Sequence, residues 1–386
     1  MKKSLTFQEK LTKIIKRQKK LATTHVIIAL IFAVILMTTL NFIDRNIDRS
    51  FAIEIQQEED VQFTATMVGD VMLGRHVEEV IKRYGYDYLT KYFQPYFTAS
   101  DYVTLNFEQP IVIRDEEAER ADKKIHFKIG SEAATALKEM NVTTVNLANN
   151  HMIDYGQVGL EDTFRAFEEI GLEFVGAGRN LREAQQILYQ TFDDITVATI
   201  GLADFQYDNY FATRSRGGIL RADPSIFMPL VMEAKENADL VMVHVHWGAE
   251  YDNKPHPRQV EIGRALSDAG ADIVIGHHPH VLQPIEVYND TVIFYSLGNF
   301  IFDQGMTTRR ETAIVQYKLD KEGKARVEVT PMWIREGRPR PITGILKSYR
   351  TNRIYNHLTK KLTEEDSWFY DGDKLTIELH HSHVIQ

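Results

Sequence analysis

The sequence GADIVIGHHPHVLQP, residues 270–284, ends an apolar run with a group of imidazoles. The run stops at Gly276, and His277, His278 and His280 follow within the next four residues. Burying neighbouring imidazoles costs free energy unless each ring finds a partner, and a shared metal ion would serve several rings at once. The spacing therefore predicts a metal site where a buried strand ends.

More polar residues follow the ends of other predicted strands. In open α/β sheets ligands bind at the carboxyl ends of the strands, so side chains at these positions are expected to meet. The chain has no cysteine, which excludes thiolate ligands and disulfides. Oxygen ligands combined with imidazole suit Mn, Zn or Fe, and the number of such residues exceeds the needs of one ion, so we predict two divalent ions. The predicted metal ligands are Asp70, Glu108, Asn150, His246, His278 and His280.

The predicted catalytic residues are His151 and Asp70. Asp70 or Glu108 would bridge the two ions, and His151, next to a ligand, would protonate a leaving group. His244 and His277 lie beside the ligand positions, and we expect them to support the ligands or to pack in the core.

Three further residues, Arg75, Glu250 and Asn299, are predicted to bind substrate because they lie in the same polar segments. As single residues they could equally form structural hydrogen bonds that orient the ligands. Asp154 is another candidate for such an orienting role.

Strands and helices alternate along the chain, which predicts an α/β fold with a mixed sheet and helices outside it. Two hairpins are expected, with turns at Asn289-Asp290 and Glu322-Gly323. The other predicted strands are 63–68, 101–108, 142–151, 195–204, 238–248 and 271–280, and the predicted helices are 131–140, the helix ending at Gly171, the helix opened by Asp223-Pro224, and 259–269.

The first 43 residues have the composition of a membrane anchor. Residues 1–20 contain eight Lys or Arg and one acid, and residues 21–43 contain no Asp, Glu, Lys or Arg. About 20 apolar helical residues span the hydrocarbon core, and basic residues favour the cytoplasmic side. No small-x-small cleavage site follows, which argues against the alternative of a cleaved signal peptide; a buried core helix is the other alternative. We predict a cytoplasmic tail (1–20), a transmembrane anchor (21–43), a stalk (44–60) and an extracellular main domain.

Charge restricts the partners of the main domain. The chain carries −9, of which residues 1–20 contribute +7, so residues 44–386 carry −16. A domain this acidic does not attract nucleic acid through its average field. Within this acidic domain, the segment from Arg335 to Lys361 is basic, with eight Lys or Arg and one acid. The block predicts either a binding site for a polyanionic polymer or a solvated helix face, and we interpret residues 336–386 as a basic C-terminal extension.

Six motifs follow one another in the main domain: MVGDVMLGR (67–75), NFEQP (106–110), NLANNHMIDYG (146–156), HWGAEYD (246–252), GHHPHVLQP (276–284) and YSLGNFIFDQG (295–305). In this order they resemble the motifs of the CapA/PgsA family of poly-γ-glutamate capsule synthesis proteins, which is related to the calcineurin-like metallophosphoesterases. The resemblance covers residues 61–335. The short basic N-terminus before one anchor is similar as well.

The resemblance implies a metallophosphoesterase-like sandwich of mixed β-sheets flanked by helices, preceded by one transmembrane helix. It also implies a membrane complex with a poly-γ-glutamate ligase subunit and a small integral membrane subunit. The sequence departs from active phosphoesterases at two points. Met72 stands where their opening Asp-x-His motif has histidine, and Asn149 replaces the glycine of their Gly-Asn-His. The motif positions that match are Asp70, Glu108, Asn150, His151, His246, His278 and His280.

The favoured function is therefore a membrane-anchored, extracytoplasmic subunit required for poly-γ-glutamate synthesis and export. Its metal ions and basic residues would neutralise the growing polymer. The alternative is an active two-metal hydrolase of a phosphoester or γ-glutamyl amide bond, against which the missing histidine counts. A metal-dependent receptor or adhesion module is a third interpretation, supported only by the anchor.

Overall fold

The computed structural model describes residues 6–50, 53, 55, 58–205, 208–305, 307–371 and 373–385. The chain divides into two compact units, Met1–Glu54 and Ile55–Gln386. Of the predicted tail and stalk, residues 1–5, 51, 52, 54, 56 and 57 lie outside the described residues.

The first unit is one long helix, α1 (Phe7–Ser50). Its segment Phe7–Leu40 is long and apolar enough to cross a membrane, with a mean hydropathy of 2.4 over its most apolar stretch. At 1.5 Å per residue the whole helix is about 66 Å long, roughly twice the hydrocarbon core. The helix includes most of the predicted tail, where Lys, Leu and Gln favour helix, and also the first part of the predicted stalk.

The second unit contains all the strands among the described residues. In chain order they are β1 (Val61–Val71), β2 (Tyr102–Phe107), β3 (Thr144–Asn146), β4 (Glu173–Val175), β5 (Ala177–Gly178), β6 (Leu188–Phe192), β7 (Ile195–Ala203), β8 (Gly218–Ile219), β9 (Leu240–His246), β10 (Ile273–His277), β11 (Ile285–Tyr288), β12 (Thr291–Phe294), β13 (Asn299–Ile301), β14 (Glu311–Asp320), β15 (Ala325–Arg335), β16 (Arg338–Pro341), β17 (Trp368–Asp371) and β18 (Lys374–Leu379). The helices that follow α1 are α2 (Arg75–Tyr84), α3 (Tyr86–Thr90), α4 (Gln94–Thr98), α5 (Glu132–Glu139), α6 (Gly156–Ile170), α7 (Leu181–Ala184), α8 (Pro224–Asn237), α9 (Pro257–Ala269) and α10 (Lys347–Leu358).

The strands form two large sheets. The larger has the order β17-β18-β15-β14-β1-β2-β3-β4, with β13 also paired to β1 and β16 to β15. Strands β1 to β4 are parallel, whereas β14 to β18 pair antiparallel. The smaller sheet has the order β11-β12-β10-β9-β7-β6, and its central strands β7, β9, β10 and β12 are parallel. The pair β5-β8 stands apart.

Strand β9 shows how the sheets pack, because its alternate residues belong to two different cores. Leu240 and Met242 pack between the two sheets, with Val315 of β14. Val241 and Val243 point the other way, into a core that includes residues of α8 and α9. The predicted α/β sandwich of mixed sheets flanked by helices is confirmed. Since side chains alternate along a strand, His244 and His246 face the larger sheet.

The turn and cap signals place the secondary structure where the sequence predicts it. The hairpin β11–β12 turns at Asn289 and Asp290, both with positive φ, as a two-residue hairpin turn requires. The hairpin β14–β15 turns at residues 321–324. Helix α8 begins after Asp223, whose side chain accepts a hydrogen bond from the backbone N–H of Ser225.

The C-terminal region differs from the predicted extension. Strand β18 pairs with β15, so residues after 335 continue the larger sheet and belong to the same compact unit. Ile354, Leu375 and Ile377 are buried in the core between the sheets. The boundary predicted at residue 335 is therefore not a boundary between units. At the other end, Glu58 forms ion pairs with Lys318 of β14, so the end of the predicted stalk also packs on the domain.

Candidate metal centre

The candidate site lies where the carboxyl ends of parallel strands from both sheets meet. Asp70 and Asn106 end β1 and β2 of the larger sheet, and His246 and His277 end β9 and β10 of the smaller one. The Nδ2 atom of Asn106 lies 2.9 Å from Oδ1 of Asp70 and 3.4 Å from Nδ1 of His246. Asn106 thus lies between Asp70 and His246, two of the predicted ligands.

A close approach of two backbones fixes Asp70 in the site. Its N–H donates to the carbonyl oxygen of Gly298 at 2.9 Å, and a Cβ atom on Gly69 would lie only 2.0 Å from that oxygen. The pairing register of β1 shifts just after Asp70. Irregularities of this kind re-aim side chains next to functional sites.

The Asp70 carboxylate is fully buried among histidines. Its oxygens lie 3.3 Å from Nδ1 of His277 and 3.2 Å from Nδ1 of His280. Burial opposes ionisation, but the hydrogen bonds from the two histidines outweigh it and hold the pKa of Asp70 well below its ordinary range. Asp70 is therefore ionised in the folded protein, as a metal ligand must be.

The environment of Glu108 shifts its pKa in the direction opposite to the shift of Asp70. It is fully buried, and neither carboxylate oxygen has a hydrogen-bond partner among the described residues. Burial raises the pKa of Glu108 well above its ordinary value, and the negative charges of Asp70 and Glu250 raise it further. The ligand atoms of Glu108, His278 and His280 lie within 4.8 Å of one another.

The other predicted ligands form a second group beside Glu108. His246 is fully buried and its Nε2 lies 3.0 Å from Oδ1 of Asn150. The rings of His246 and His278 are 4.7 Å apart. Burial lowers the pKa of both rings, for His278 to about 4, so both are neutral at physiological pH. Neutral imidazole is the form that binds metal ions.

His244 and His277 stand behind the ligands, as expected. Thr104 Oγ1 lies 2.9 Å from Nε2 of His244, and Nδ1 of His244 lies 2.9 Å from Nε2 of His277. With the contact from His277 to Asp70, a buried chain of polar groups runs from β2 through the smaller sheet to Asp70. Such partners orient a ligand and fix its protonation state.

The histidine loop after β10 has an unusual backbone. His278 has φ of 96° and His280 has φ of 56°, conformations that L-residues adopt at a cost of about 1–3 kcal/mol. Asn299 of β13 stabilises the loop: its Oδ1 lies 2.9 Å from Nδ1 of His280, and its Nδ2 donates to the His280 carbonyl. Strain retained in this way is common at functional sites.

His151, the predicted proton donor, contacts Asp154 and Phe127. Its Nδ1 donates to Asp154 at 2.7 Å, and its ring stacks on Phe127 with centroids 3.9 Å apart. Burial lowers the pKa of His151 to about 4, although the bond to Asp154 opposes this. The neutral ring therefore carries its proton on Nδ1. Nε2 is left as an acceptor, which does not favour the predicted role as a proton donor.

Lys123 lies beside the candidate centre and was not predicted from the sequence. Its Nζ donates to the carbonyl oxygen of Asn150 at 2.8 Å, lies 3.2 Å from Nδ1 of His151 and forms an ion pair with Asp154. Lys123 lies between charged residues in a segment without regular structure. Nothing in its local sequence distinguishes it from a solvated lysine.

The three predicted substrate-binding residues occupy different positions. Glu250 is exposed, and its negative charge contributes to the raised pKa of Glu108. Arg75 is partly exposed, lies over the Phe127 ring and pairs with Asp303 at 3.1 Å. Asn299 is fully buried against His280, which suits an orienting role. Substrate binding by these residues remains a prediction.

The donors present fit a divalent cation. Both oxygens of Glu108 and the Nδ1 of His278 are buried without a hydrogen-bond partner among the described residues. A buried carboxylate in that state is costly unless a cation neutralises it. Carboxylate, amide oxygen and neutral imidazole together suit Mn, Zn or Fe.

Sequence comparison assigns the chain to a family. The profile described as bacterial capsule synthesis protein PGA_cap matches residues 64–304. The chain belongs to this family. Over its whole length it is 45% identical to the PGA biosynthesis protein CapA of Bacillus subtilis, of which it covers 100%, and 44% identical to the capsule biosynthesis protein CapA of Bacillus anthracis, of which it covers 94%. A probable polyglutamine synthesis accessory protein of Mycobacterium tuberculosis is 30% identical over 53% of this chain and 57% of its own length. The resemblance to the CapA family is thereby confirmed.

Two solved structures are similar to this chain only distantly. A 5′-nucleotidase precursor from Thermus thermophilus is 11% identical with a TM-score of 0.42, covering 76% of this chain and 58% of that chain. A hypothetical protein from the same organism is 17% identical with a TM-score of 0.40, and the match covers 72% of this chain and 95% of that chain. Similarity at this level does not bear on function.

Proposed function

We propose that this capsule synthesis protein is a membrane-anchored, extracytoplasmic subunit required for poly-γ-glutamate synthesis and export. The observation that carries the proposal is the 45% identity over the full length of both chains to a protein named for PGA biosynthesis. The aligned region includes the N-terminal helix as well as the centre. Its partners are a poly-γ-glutamate ligase subunit and a small integral membrane subunit, as the family resemblance implies.

The proposed placement in the membrane uses α1 as a single-pass anchor. The helix is apolar over its middle and basic before it, and basic residues are retained on the cytoplasmic side. The unit Ile55–Gln386 then lies outside the cell membrane.

The proposed centre holds two divalent ions, Mn, Zn or Fe. They would be held by Asp70, Glu108, Asn150, His246, His278 and His280. Among these, the ligand atoms of Glu108, His278 and His280 lie within 4.8 Å of one another. Bound ions would act as Lewis acids or as a neutralising charge for carboxylates. Support comes from the unpartnered carboxylate of Glu108.

The proposal is tested in a polymer-producing strain that lacks its own copy of the gene. Full-length protein is expected to restore surface polymer, and a chain without residues 1–43 is expected to fail. Normal polymer in the deletion strain would refute a required role.

A second candidate function, hydrolysis of a phosphoester or γ-glutamyl amide bond, is favoured by the pair His151–Asp154 next to the centre. The neutral His151 and the missing Asp-x-His histidine count against it. Purified full-length protein, assayed on both substrate classes with Mn or Zn, distinguishes the two. Turnover abolished by His151→Ala would establish the hydrolase, whereas no turnover leaves the subunit without chemistry of its own.

A further inference from the structure

We propose that a groove along α10 binds a segment of an anionic polyamide, the γ-linked glutamate chain; this inference rests on the proposed function. We call it the α10 groove. It has a volume of about 510 Å³ and is lined by residues of α10, by Lys360 just after it, and by Asn253, Val281, Leu282, Thr308 and Glu311. Ligand sites in proteins have volumes of roughly 300–1,000 Å³, so the groove can hold a short chain segment.

The position of the groove links it to the candidate metal centre. Val281 and Leu282 follow His280 directly, and Nε2 of His357 on α10 lies 3.0 Å from the Leu282 carbonyl oxygen. The loop that carries the histidines therefore also forms one wall of the groove. A chain held there lies beside the residues that would hold the ions.

The charge of the groove suits an anionic ligand. Residues 337–363 contain no acidic residue, in a chain whose residues 44–386 carry −16. Arg353 and Lys360 line the groove, and among the described lining residues Glu311 is the only acid. Glu311 is paired with Arg353, so these two charges offset each other and the lining keeps a net charge of +1 from Lys360. The groove is thus a local site for a polyanion on an acidic domain.

Only part of the basic block predicted from the sequence contributes to this site. Lys347 pairs with Asp373 at 2.7 Å, and the guanidinium of Arg350 lies 4.3 Å from the centroid of a Trp333 ring. Arg338 and Arg340 are buried. The structure therefore narrows the candidate polyanion site from the whole block to the groove-lining residues of α10.

The uncharged lining suits the rest of such a chain. Asn253, Asn352 and Asn356 each offer an amide that both donates and accepts hydrogen bonds. Tyr349, 62% exposed, offers an aromatic face to methylene groups. A γ-linked glutamate unit presents a carboxylate, a backbone amide and two methylenes, so each kind of group has a matching partner.

The test measures binding of a fluorescent γ-linked glutamate oligomer to purified full-length protein in detergent by anisotropy. The groove variant is Asn352→Asp with Asn356→Asp, exposed positions that leave the Arg353–Glu311 pair intact. The control, Gln186→Glu with Asn237→Asp, adds the same charge at exposed positions elsewhere. We expect at least tenfold weaker binding by the groove variant and wild-type binding by the control. Equal weakening in both variants, or wild-type binding by the groove variant, would overturn the proposal.

A measurement in chelator separates the groove from the metal centre. The wild type is expected to bind the oligomer equally well in chelator, because none of the predicted metal ligands lines the groove. Loss of binding in chelator would assign the oligomer to the centre instead. The proposed function fails by a different result, normal polymer in the deletion strain, so the two failures are distinguishable.

Discussion

The Glu108 carboxylate is buried beside Asp70 and has no hydrogen-bond donor on either oxygen among the described residues. Without a cation, burial and neighbouring negative charge raise its pKa, which favours the neutral acid. With a cation, the ionised form is the better ligand. In the proposed centre Glu108 would exchange a proton for a metal ion, and its contribution to stability would depend on which is present.

Glu108→Gln tests this dependence. In chelator the variant and wild type are expected to unfold within about 1 kcal/mol of each other, since both side chains are neutral and similar in shape. With Mn at 100 times its dissociation constant, wild type gains about 2.7 kcal/mol, and the variant gains much less. Thermal unfolding of full-length protein, with and without Mn, measures both. If the stability difference between wild type and variant is the same with and without Mn, Glu108 is not a metal ligand.

The ion pair between Lys123 and Asp154, next to His151, leads to a separate prediction about stability. Lys123→Met leaves Asp154 buried without its cation and is expected to destabilise the domain by about 3 kcal/mol. Lys123→Met combined with Asp154→Asn removes both charges, so the double variant should be more stable than the sum of the single changes implies, by at least about 1 kcal/mol. Urea unfolding of the four proteins measures the coupling. Strict additivity would show that the pair is not energetically linked.

Among single residues, the sequence allowed us to predict the site residues that follow strands. Glu108, His278 and His280 could be grouped from the sequence because the carboxyl ends of parallel strands share an edge. Lys123 and Phe127 could not, since residues 113–128 form no regular element and their contacts with His151 exist only in the folded chain.

At the scale of elements, signals confined to a few residues predicted structure well. Turn dipeptides located both hairpins, and Asp223-Pro224 located the start of α8. Strand β16 was missed because its sequence, RPRP, contains two prolines, which are confined to edge strands or bulges. The hairpin β17–β18 had an Asp371-Gly372 signal that the interpretation as an extension overlooked.

The approach of β1 to the chain before β13 predicts the effect of one added methyl group. Gly69→Ala places a Cβ atom 2.0 Å from the Gly298 carbonyl oxygen, so the strand must shift, and Asp70 with it. We expect the free energy of unfolding to fall by about 3 kcal/mol. We also expect the variant to lose its bound metal. Gly305→Ala is the control, because the nearest atom to its Cβ is 3.9 Å away. Stability and metal content equal to the control would contradict this account of β1.

The antiparallel half of the larger sheet predicts an acid-sensitive contribution to stability. Glu328 of β15 contacts Lys318 of β14 at 3.0 Å and Lys374 of β18 at 2.6 Å. Although burial opposes ionisation, the hydrogen bonds from Lys374 and Arg326 outweigh it and lower the pKa of Glu328 from 4.5 to about 2. Because the folded pKa is depressed, the contribution is complete above pH 4.5 and is lost as the pH falls towards 2.

Glu328→Gln therefore lowers the melting temperature at pH 7, and the difference from wild type shrinks between pH 4.5 and about 2. Thermal unfolding across that range checks the prediction. A difference that stays constant with pH would mean that the charge of Glu328 does not contribute.

At the scale of the whole molecule, the absence of cysteine allows a direct test of orientation. Lys13→Cys lies in the basic part of α1, and Lys124→Cys is exposed on the second unit. A membrane-impermeant maleimide added to intact cells is expected to label Lys124→Cys and not Lys13→Cys, with both labelled after lysis. The reverse pattern would contradict an extracytoplasmic domain.

The most direct test of a metal centre required for polymer synthesis measures metal content and polymer output in the same strains. Full-length wild type, the double variant His278→Ala with His280→Ala, and the control His76→Ala, an exposed histidine on α2, are expressed in the deletion strain at equal membrane levels. We predict that wild type and the control carry divalent metal and support surface polymer, whereas the double variant loses both. Normal polymer from a double variant that has lost its metal would contradict the account and leave the centre without a role in synthesis.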